Sequence, residues 1–221
     1  MILQIGGVLS AANLLQITTA IGKIQFHDGR ATAGWHARTV KDNLQAAPSE
    51  LLSSVQAQVS AGLMANDVLR AFALPARVLP PLISRYTNGA SYGLHVDDAL
   101  MGTPPLRTDL SVTVFLSPPE AYEGGELEVQ TPSGIETAKF AAGDAAIYPS
   151  TCLHQVTPVT RGERLVAATW IQSQVRNAEQ RAILFDLDRA RRKIFASHGK
   201  CEEFDLIAKS YANLLRQWAE I

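Results

Sequence analysis

Residues 78–175 contain a series of short apolar or alternating runs separated by Gly, Pro, Asn and Asp. Short strands at roughly regular spacing, bounded by turn-forming residues, are typical of a β-sandwich or jelly roll. The runs are RVLPPLISRYT, DLSVTVFLS, GELEVQT, GIETAKF, DAAIYPS, HQVTPVT and RLVAATWIQS. We therefore predict a mainly β core with flanking helices, an α+β fold.

The flanking segments have helical patterns. Residues 1–77 open with one short strand-like run, MILQIGG, and continue as helices, the first of which Ser10 can cap. A second helix opens at Ser49 and has an apolar stripe of Leu52, Val55, Val59 and Leu63. We divide the chain into an N-terminal supporting segment (1–77), a core (78–175) and a C-terminal helical extension (176–221).

The C-terminal extension is predicted to cover an edge or face of the sheet. Contact between copies of the chain, giving a homo-oligomer, is the alternative. The apolar stripes behind this prediction are Ile183, Leu187, Ala190 and Ile194, then Phe204, Ile207, Ala208, Tyr211, Leu214, Leu215 and Trp218.

Composition narrows the class of protein. The 221 residues are 47% hydrophobic and 19% charged, and the net charge is −1, which argues against a broad nucleic-acid surface. The basic run Arg189–Lys193 is predicted to be a solvated helix face. Two cysteines without a CxxC pair suit a reducing compartment. The apolar N-terminus lacks the marks of a signal peptide and no run is long enough to cross a bilayer, so we expect a cytoplasmic protein without membrane contact.

His95 and Asp97 form the first candidate metal site. Residues i and i+2 of a strand point to the same face, so the imidazole and the carboxylate should emerge together, whereas Asp98 should point away. A third ligand must come from another strand. His27, His36 and His198 suit surface or capping roles, but His154 begins a predicted strand in the core. Two histidines and one carboxylate leave three coordination positions open, as in non-haem Fe(II) oxygenases.

Arg164 is the candidate ligand-binding cation. It follows a predicted strand and a hairpin turn at residues 160–163, so it should return on the strand next to that of His154. A guanidinium pointing into a barrel requires an anion, and its planar fork matches a carboxylate such as that of 2-oxoglutarate. The alternative is a surface ion pair with Glu163 or Glu126. The face of Arg164 would also carry Val166, Ala168 and Trp170.

Three segments together resemble the Fe(II)- and 2-oxoglutarate-dependent dioxygenases. They are RYTNGASYGLHVDDA, LRTDLSVTVFLSPPEAYEGGELEVQ and FAAGDAAIYPSTCLHQVTPVTRGERLVAATWIQS. Within that superfamily the chain is most similar to the bacterial PKHD-type hydroxylases, a branch related to prolyl 4-hydroxylases, and the segment opening VRNAEQRAILFDLDRAR resembles the same branch.

The resemblance implies a double-stranded β-helix with iron at its open end. It implies Fe(II) at His95, Asp97 and His154, and 2-oxoglutarate at Arg164. It also implies dioxygen as co-reactant, L-ascorbate as reductant, and hydroxylation of an unidentified small molecule or peptide as 2-oxoglutarate becomes succinate and CO2. Three aromatic residues could line the cosubstrate pocket or simply pack in the core: Tyr86, Tyr92 and Trp170.

Two other functions stay open at this point. One is a non-catalytic sensor of 2-oxoglutarate or iron, and the other is a zinc-dependent, cupin-like hydrolase. Arg164 disfavours the zinc enzyme, because activation of water by zinc needs no carboxylate clamp. Further predictions concern single positions. Gly124 and Gly125 should form a turn or bulge, Cys152 should be a small core residue, and loop residues Met101, Leu106 and Tyr122 could contact substrate.

Overall fold

The computed structural model describes residues 2–220. Within them the helices are α1 (Ala11–Ile21), α2 (Glu50–Ala65), α3 (Asp67–Ala73), α4 (Ala178–His198) and α5 (Glu202–Trp218). Ser10 caps α1 as predicted, and Ser49 caps α2, each by accepting a backbone N–H from the first turn. The predicted second helix is in fact two, because the Asn66 side chain accepts the N–H of Leu69 and starts α3 where α2 ends.

The strands of the first half are β1 (Leu3–Ile5), β2 (Phe26–Asp28), β3 (Lys41–Asp42), β4 (Leu44–Ala46), β5 (Pro75–Val78), β6 (Leu82–Tyr86), β7 (Ser91–His95), β8 (Leu100–Met101) and β9 (Leu106–Arg107). Those of the second half are β10 (Leu110–Phe115), β11 (Tyr122–Gly124), β12 (Leu127–Thr131), β13 (Gly134–Ala138), β14 (Ala145–Pro149), β15 (His154–Val156), β16 (Val159–Gly162) and β17 (Arg164–Ser173).

Two antiparallel sheets form the core. The larger has the order β1-β14-β10-β17-β6-β4-β2, with β5 also paired to β17, and the smaller has the order β13-β12-β15-β7-β3. Two-stranded ribbons, β8-β9 and β11-β16, complete the strands of the described residues. This arrangement confirms the predicted α+β class and jelly-roll core.

The two faces of the larger sheet have different partners. Side chains of one face pack with α1 to α3 in an apolar cluster that includes all four predicted stripe residues of α2, each buried. The other face packs on the smaller sheet, where Phe115 and Val166 meet Leu127 and Val129. Strand β17 serves both faces by alternation, so Leu165 and Ala167 face the helices while Arg164 and Val166 face the second sheet.

The N-terminal segment contributes more strands than predicted. Only one strand was expected in residues 1–77, yet β2 and β4 extend the larger sheet and β3 pairs with β7 of the smaller one. The chain therefore crosses from one sheet to the other at Asn43. The alternate polar residues of β3 and β4 are typical of a surface loop, but here they line an internal cavity.

The C-terminal extension packs at the ends of α3 and β17, and on a partly different stripe from the predicted one. Tyr211, Leu214, Leu215 and Trp218 of α5 pack around Leu74, Val175 and Leu184, the residues at the ends of α3 and β17 and on α4. Helix α4, however, buries Arg181 and Asp188 along with Leu184, while Ile183 is 47% exposed. The pattern of apolar residues did not predict this face, because polar side chains on it are buried with hydrogen-bond partners nearby in the chain. Arg181, for example, donates to the carbonyls of Val175 and Arg176. No helix in residues 2–220 is both long and apolar enough to span a bilayer.

Candidate active site

Three predicted metal ligands meet at adjacent strand ends of the smaller sheet. His95 ends β7 and His154 begins β15, and the two residues are direct partners in the antiparallel register. Asp97 follows β7 by two residues. One ligand atom from each of these three residues lies within 4.8 Å of the others, and the two imidazole centroids are 4.2 Å apart. The three predicted ligands, called the metal trio below, are thus brought together.

Both imidazoles are held so that Nε2 is available to a metal. Nδ1 of His95 lies 2.8 Å from the Gly93 carbonyl oxygen, and Nδ1 of His154 lies 3.1 Å from that of Cys152. A carbonyl oxygen only accepts, so each Nδ1 carries the proton and each Nε2 keeps its lone pair. Burial, followed by repulsion from His154, lowers the pKa of His95 to about 4, so this ring is neutral near pH 7, as a metal ligand must be.

The carboxylate of Asp97 is oriented by two serines that sequence reasoning missed. Ser111 Oγ donates to Asp97 Oδ2 at 2.6 Å and lies 2.7 Å from Ser150 Oγ. Both serines are buried. A sequence signal existed, because Ser111 and Thr113 are the polar, inward positions of the otherwise apolar run LSVTVF.

Asp98 does not point away from the cavity as predicted. Strand β7 ends at His95, so the alternation rule does not extend to residues 96–98. Asp98 lines the same cavity as the metal trio, with its carboxylate against Gly34. It is nevertheless not among the three clustered ligands.

Arg164 faces the metal trio from the opposite sheet. The prediction that it lies on the strand next to that of His154 is wrong, because β16 pairs with β11 and β17 belongs to the larger sheet. The predicted surface ion pairs are also absent: Glu163 pairs with Arg85 and Glu126 lies near Lys139. Arg164 is 1% exposed, and its Nε and Nη1 have no hydrogen-bond partner among residues 2–220. A buried guanidinium in this state has hydrogen-bonding capacity that suits an anion.

Tyrosines surround the guanidinium. Arg164 Cζ is 5.0 Å from the ring centroid of Tyr86, its partner in the β17–β6 register. Burial raises the pKa of the Tyr86 and Tyr122 phenols while the charge of Arg164 opposes that rise, so both remain O–H donors. Tyr122 therefore lies beside Arg164 and not at the substrate rim. Tyr148, also missed from the sequence, packs edge-on to His154 at 5.1 Å between centroids.

Gly125 gives Arg164 its space. This residue has φ +67°, and a Cβ there would lie 2.9 Å from Arg164 Cδ and 2.8 Å from Val159 Cγ2. Gly124, at φ +70°, sits where the β11–β16 register shifts, which confirms the predicted bulge.

The remaining predicted residues divide between cavity and core. Tyr92 stacks on His95, with 3.6 Å between ring centroids, and so lies on the metal side of the cavity. Trp170 and Met101 line the cavity too, and Trp170 Nε1 has no hydrogen-bond partner in the described residues. Leu106 is buried in the core and does not line it. Cys152 is half-buried against the apolar cluster between the two sheets, and its carbonyl oxygen accepts a hydrogen bond from His154 Nδ1.

A polar wall, defined as Lys41, Asn43 and Gln45, completes the cavity. These residues alternate along the crossing segment, and each is at most 5% exposed. Sequence reasoning missed them because a buried lysine, asparagine and glutamine at alternate positions have the same pattern as a solvated strand face.

Comparison with known proteins places this geometry in a family. Residues 81–172 match the 2OG-Fe(II) oxygenase superfamily, and residues 179–220 match the PKHD-type hydroxylase C-terminal domain. A PKHD-type hydroxylase of Acaryochloris marina is 49% identical over 100% of both chains, and one of Colwellia psychrerythraea is 50% identical over 99% of both. The fold is similar to that of a Pseudomonas putida prolyl-4-hydroxylase, with a TM-score of 0.53 and 18% identity over 78% of this chain and 92% of that one.

Sequence, fold and cavity agree in what they indicate. The family uses Fe(II) and 2-oxoglutarate to hydroxylate a substrate, and two histidines with one aspartate are the ligand types found in non-haem Fe(II) oxygenases. The resemblance drawn from the sequence is confirmed along the whole chain. This protein belongs to the PKHD-type hydroxylases, which are Fe(II)- and 2-oxoglutarate-dependent dioxygenases.

Proposed function

We propose that His95, Asp97 and His154 hold the catalytic Fe(II) and that Arg164 binds the distal carboxylate of 2-oxoglutarate. One observation carries this assignment. Three ligand atoms within 4.8 Å of one another share a cavity with a guanidinium that has two unpartnered nitrogens. A site of this kind accommodates a dicarboxylic acid, with one end at the metal and the other at the arginine.

The protein's own part is to position and to exclude water. Fe(II) with 2-oxoglutarate supplies the activation of dioxygen, coupling decarboxylation to succinate with hydroxylation of the substrate. Backbone carbonyls that accept from Nδ1 orient the rings of His95 and His154, and Ser111 fixes the carboxylate of Asp97. Arg164 neutralises the distal carboxylate in a nearly dry environment, where charge-assisted hydrogen bonds are strong.

Aromatic side chains give the cosubstrate its pocket. Tyr86 donates a hydrogen bond from its phenolic O–H to the bound diacid beside Arg164, in keeping with its raised pKa. Tyr92 supports the ring of His95 by stacking, and Trp170 forms a wall of the cavity. L-ascorbate would serve as the reductant that keeps iron held by this site in the Fe(II) state.

The broader setting is also proposed. The substrate is a small molecule or a peptide, and the enzyme works in the cytoplasm without nucleic-acid or membrane partners. Residues 1–77 support the core and complete its cavity wall, residues 78–175 carry the dioxygenase centre, and residues 176–221 form a helical extension through which copies can associate. The near-neutral charge and the half-exposed apolar residues of α5 support these assignments.

Spectroscopy under anaerobic conditions tests the metal site. Fe(II) and 2-oxoglutarate should give the wild-type protein a visible charge-transfer band that His95→Ala and Asp97→Ala lack. His27→Ala, which removes an exposed histidine, is the matched control and should keep the band. A band that persists in both ligand variants, or a wild-type protein with neither band nor uncoupled succinate formation, overturns the proposal.

A further inference from the structure

Lys41 is a buried cation that the proposed iron and 2-oxoglutarate chemistry does not use. It is 5% exposed and lines the same cavity as the metal trio. Strand β3 pairs with β7 at this point, so Lys41 is opposite Tyr92, and its Nζ lies 5.1 Å from the centroid of that ring. The ammonium thus sits beside the aromatic residue that stacks on His95.

The ammonium is short of partners. Its Nζ donates one hydrogen bond, of 3.0 Å, to Thr32 Oγ1, and no carboxylate of residues 2–220 lies within ion-pair distance. Asp97 and Asp28 attract it from longer range, yet burial prevails and lowers the pKa of Lys41 to about 8. On the same wall, the Asn43 amide has neither its nitrogen nor its oxygen hydrogen-bonded within the described residues. Buried polar groups in this state indicate a missing polar ligand.

The charged groups around Lys41 indicate that this ligand is an anion. Once Fe(II) and 2-oxoglutarate are bound, their charges cancel against those of Asp97 and Arg164. Lys41 then remains as a positive charge with no carboxylate of residues 2–220 within ion-pair distance. Asp98 also lines the cavity, but its carboxylate lies against Gly34 and forms no ion pair with Lys41. An adjacent anion stabilises a buried cation, and the cosubstrate's two carboxylates are already committed.

We infer that the substrate of this enzyme carries a carboxylate, which Lys41 binds from the polar wall. The inference rests on the proposed function, because Lys41 lacks an anionic partner only if iron and 2-oxoglutarate are bound as proposed. It narrows the substrate to acids whose oxidised carbon can reach the metal while the carboxylate contacts β3.

Matched acids and amides test the charge requirement without any variant. The probes are N-acetyl amino acids and the corresponding N-acetyl amino acid amides, titrated anaerobically into protein loaded with Fe(II) and 2-oxoglutarate, with the visible band as readout. At least one acid should perturb the band and bind about tenfold to a hundredfold more tightly than its amide. Equal binding of acid and amide, or no binding of any acid up to about 20 mM, overturns the inference.

Variants locate the carboxylate at Lys41. Lys41→Met should reduce the affinity for the acid to that of its amide, Lys41→Arg should retain most of it, and Lys23→Met, which removes an exposed lysine, should change nothing. The affinity for 2-oxoglutarate, read from the same band, separates the two proposals. A Lys41→Met protein that loses 2-oxoglutarate as Arg164→Met does would make Lys41 a cosubstrate ligand and refute the substrate role. Absence of the band in the wild-type protein would instead refute the proposed metal site.

Discussion

Replacing Arg164 by methionine should weaken cosubstrate binding strongly while changing the stability of the free protein little, or raising it. Arg164 is 1% exposed, and two of its guanidinium nitrogens, Nε and Nη1, have no hydrogen-bond acceptor among the described residues. Hydrogen bonds to a charged group contribute about 1.5–3 kcal/mol each, so losing two costs about 3–6 kcal/mol of binding free energy. The dissociation constant for 2-oxoglutarate should therefore rise about a hundredfold to ten-thousandfold.

The stability of the free protein should not fall in parallel with cosubstrate binding. Replacing buried ionic groups by apolar side chains of similar volume is neutral or stabilising by about 1–4 kcal/mol. The cation–π contact of Arg164 with Tyr86, at 5.0 Å, offsets about 0.5–2 kcal/mol of that gain. We expect the free energy of unfolding of Arg164→Met, without ligands, to lie between about 1 kcal/mol below and about 3.5 kcal/mol above the wild-type value.

Thermal unfolding with and without 2-oxoglutarate, under anaerobic Fe(II), measures both effects. A ligand at one hundred times its dissociation constant stabilises a protein by about 2.7 kcal/mol, and this increment should vanish in Arg164→Met. Arg85→Met is the matched control, since Arg85 lies on neighbouring β6 but pairs with Glu163 outside the cavity. A destabilised Arg164→Met protein that still responds to 2-oxoglutarate would refute the reading of Arg164 as an anion site.

Three further predictions concern the support of the site and the core. Ser111→Ala removes the 2.6 Å hydrogen bond to Asp97 and should weaken Fe(II) binding by about tenfold to a hundredfold in a metal titration; Ser150→Ala, one hydrogen bond further away, should have a smaller effect. Gly125→Ala forces a Cβ to 2.9 Å from Arg164 Cδ at φ +67°. It should lower the free energy of unfolding by about 1–3 kcal/mol and raise the Michaelis constant for 2-oxoglutarate, and an unchanged constant would contradict the positioning role of Gly125. Leu63→Ala, at a position with 0% exposure in α2, should cost about 2–5 kcal/mol in chemical denaturation. Leu51→Ala, 43% exposed on the same helix, should cost far less, and equal losses would contradict the assigned packing face.

Local patterns predicted the parts of the fold that local physics controls. The Ser10 cap, the apolar stripe of α2 and the strands of residues 78–175 follow from side-chain spacing and hydrogen-bonding capacity, and the structure confirms them. The metal trio was accessible for the same reason. His95 and His154 stand at strand ends, and the combination of two histidines with an aspartate is chemically specific.

Long-range pairing accounts for what the sequence did not reveal. A hairpin turn before Arg164 suggested pairing with the preceding strand, but β16 pairs with β11 and β17 joins the opposite sheet, a choice made by contacts far apart in the chain. The polar wall at residues 41–45 was missed because its inward side chains are hydrophilic, so hydrophobic alternation has the wrong sign there. Asp98 was misplaced because the strand ends three residues earlier than assumed.

The metal trio lies at one sheet and Arg164 on the other. The distance between the two sheets therefore selects the length of a diacid that contacts both. A diacid that contacts both walls must have a backbone of the right length, because neither wall can move without disturbing the inter-sheet cluster of Phe115, Leu127 and Val166. Oxaloacetate, shorter by one methylene, and 2-oxoadipate, longer by one, should therefore be poor replacements for 2-oxoglutarate. Selectivity for the cosubstrate is in this sense a property of the sandwich itself, set by the thickness of its packed core.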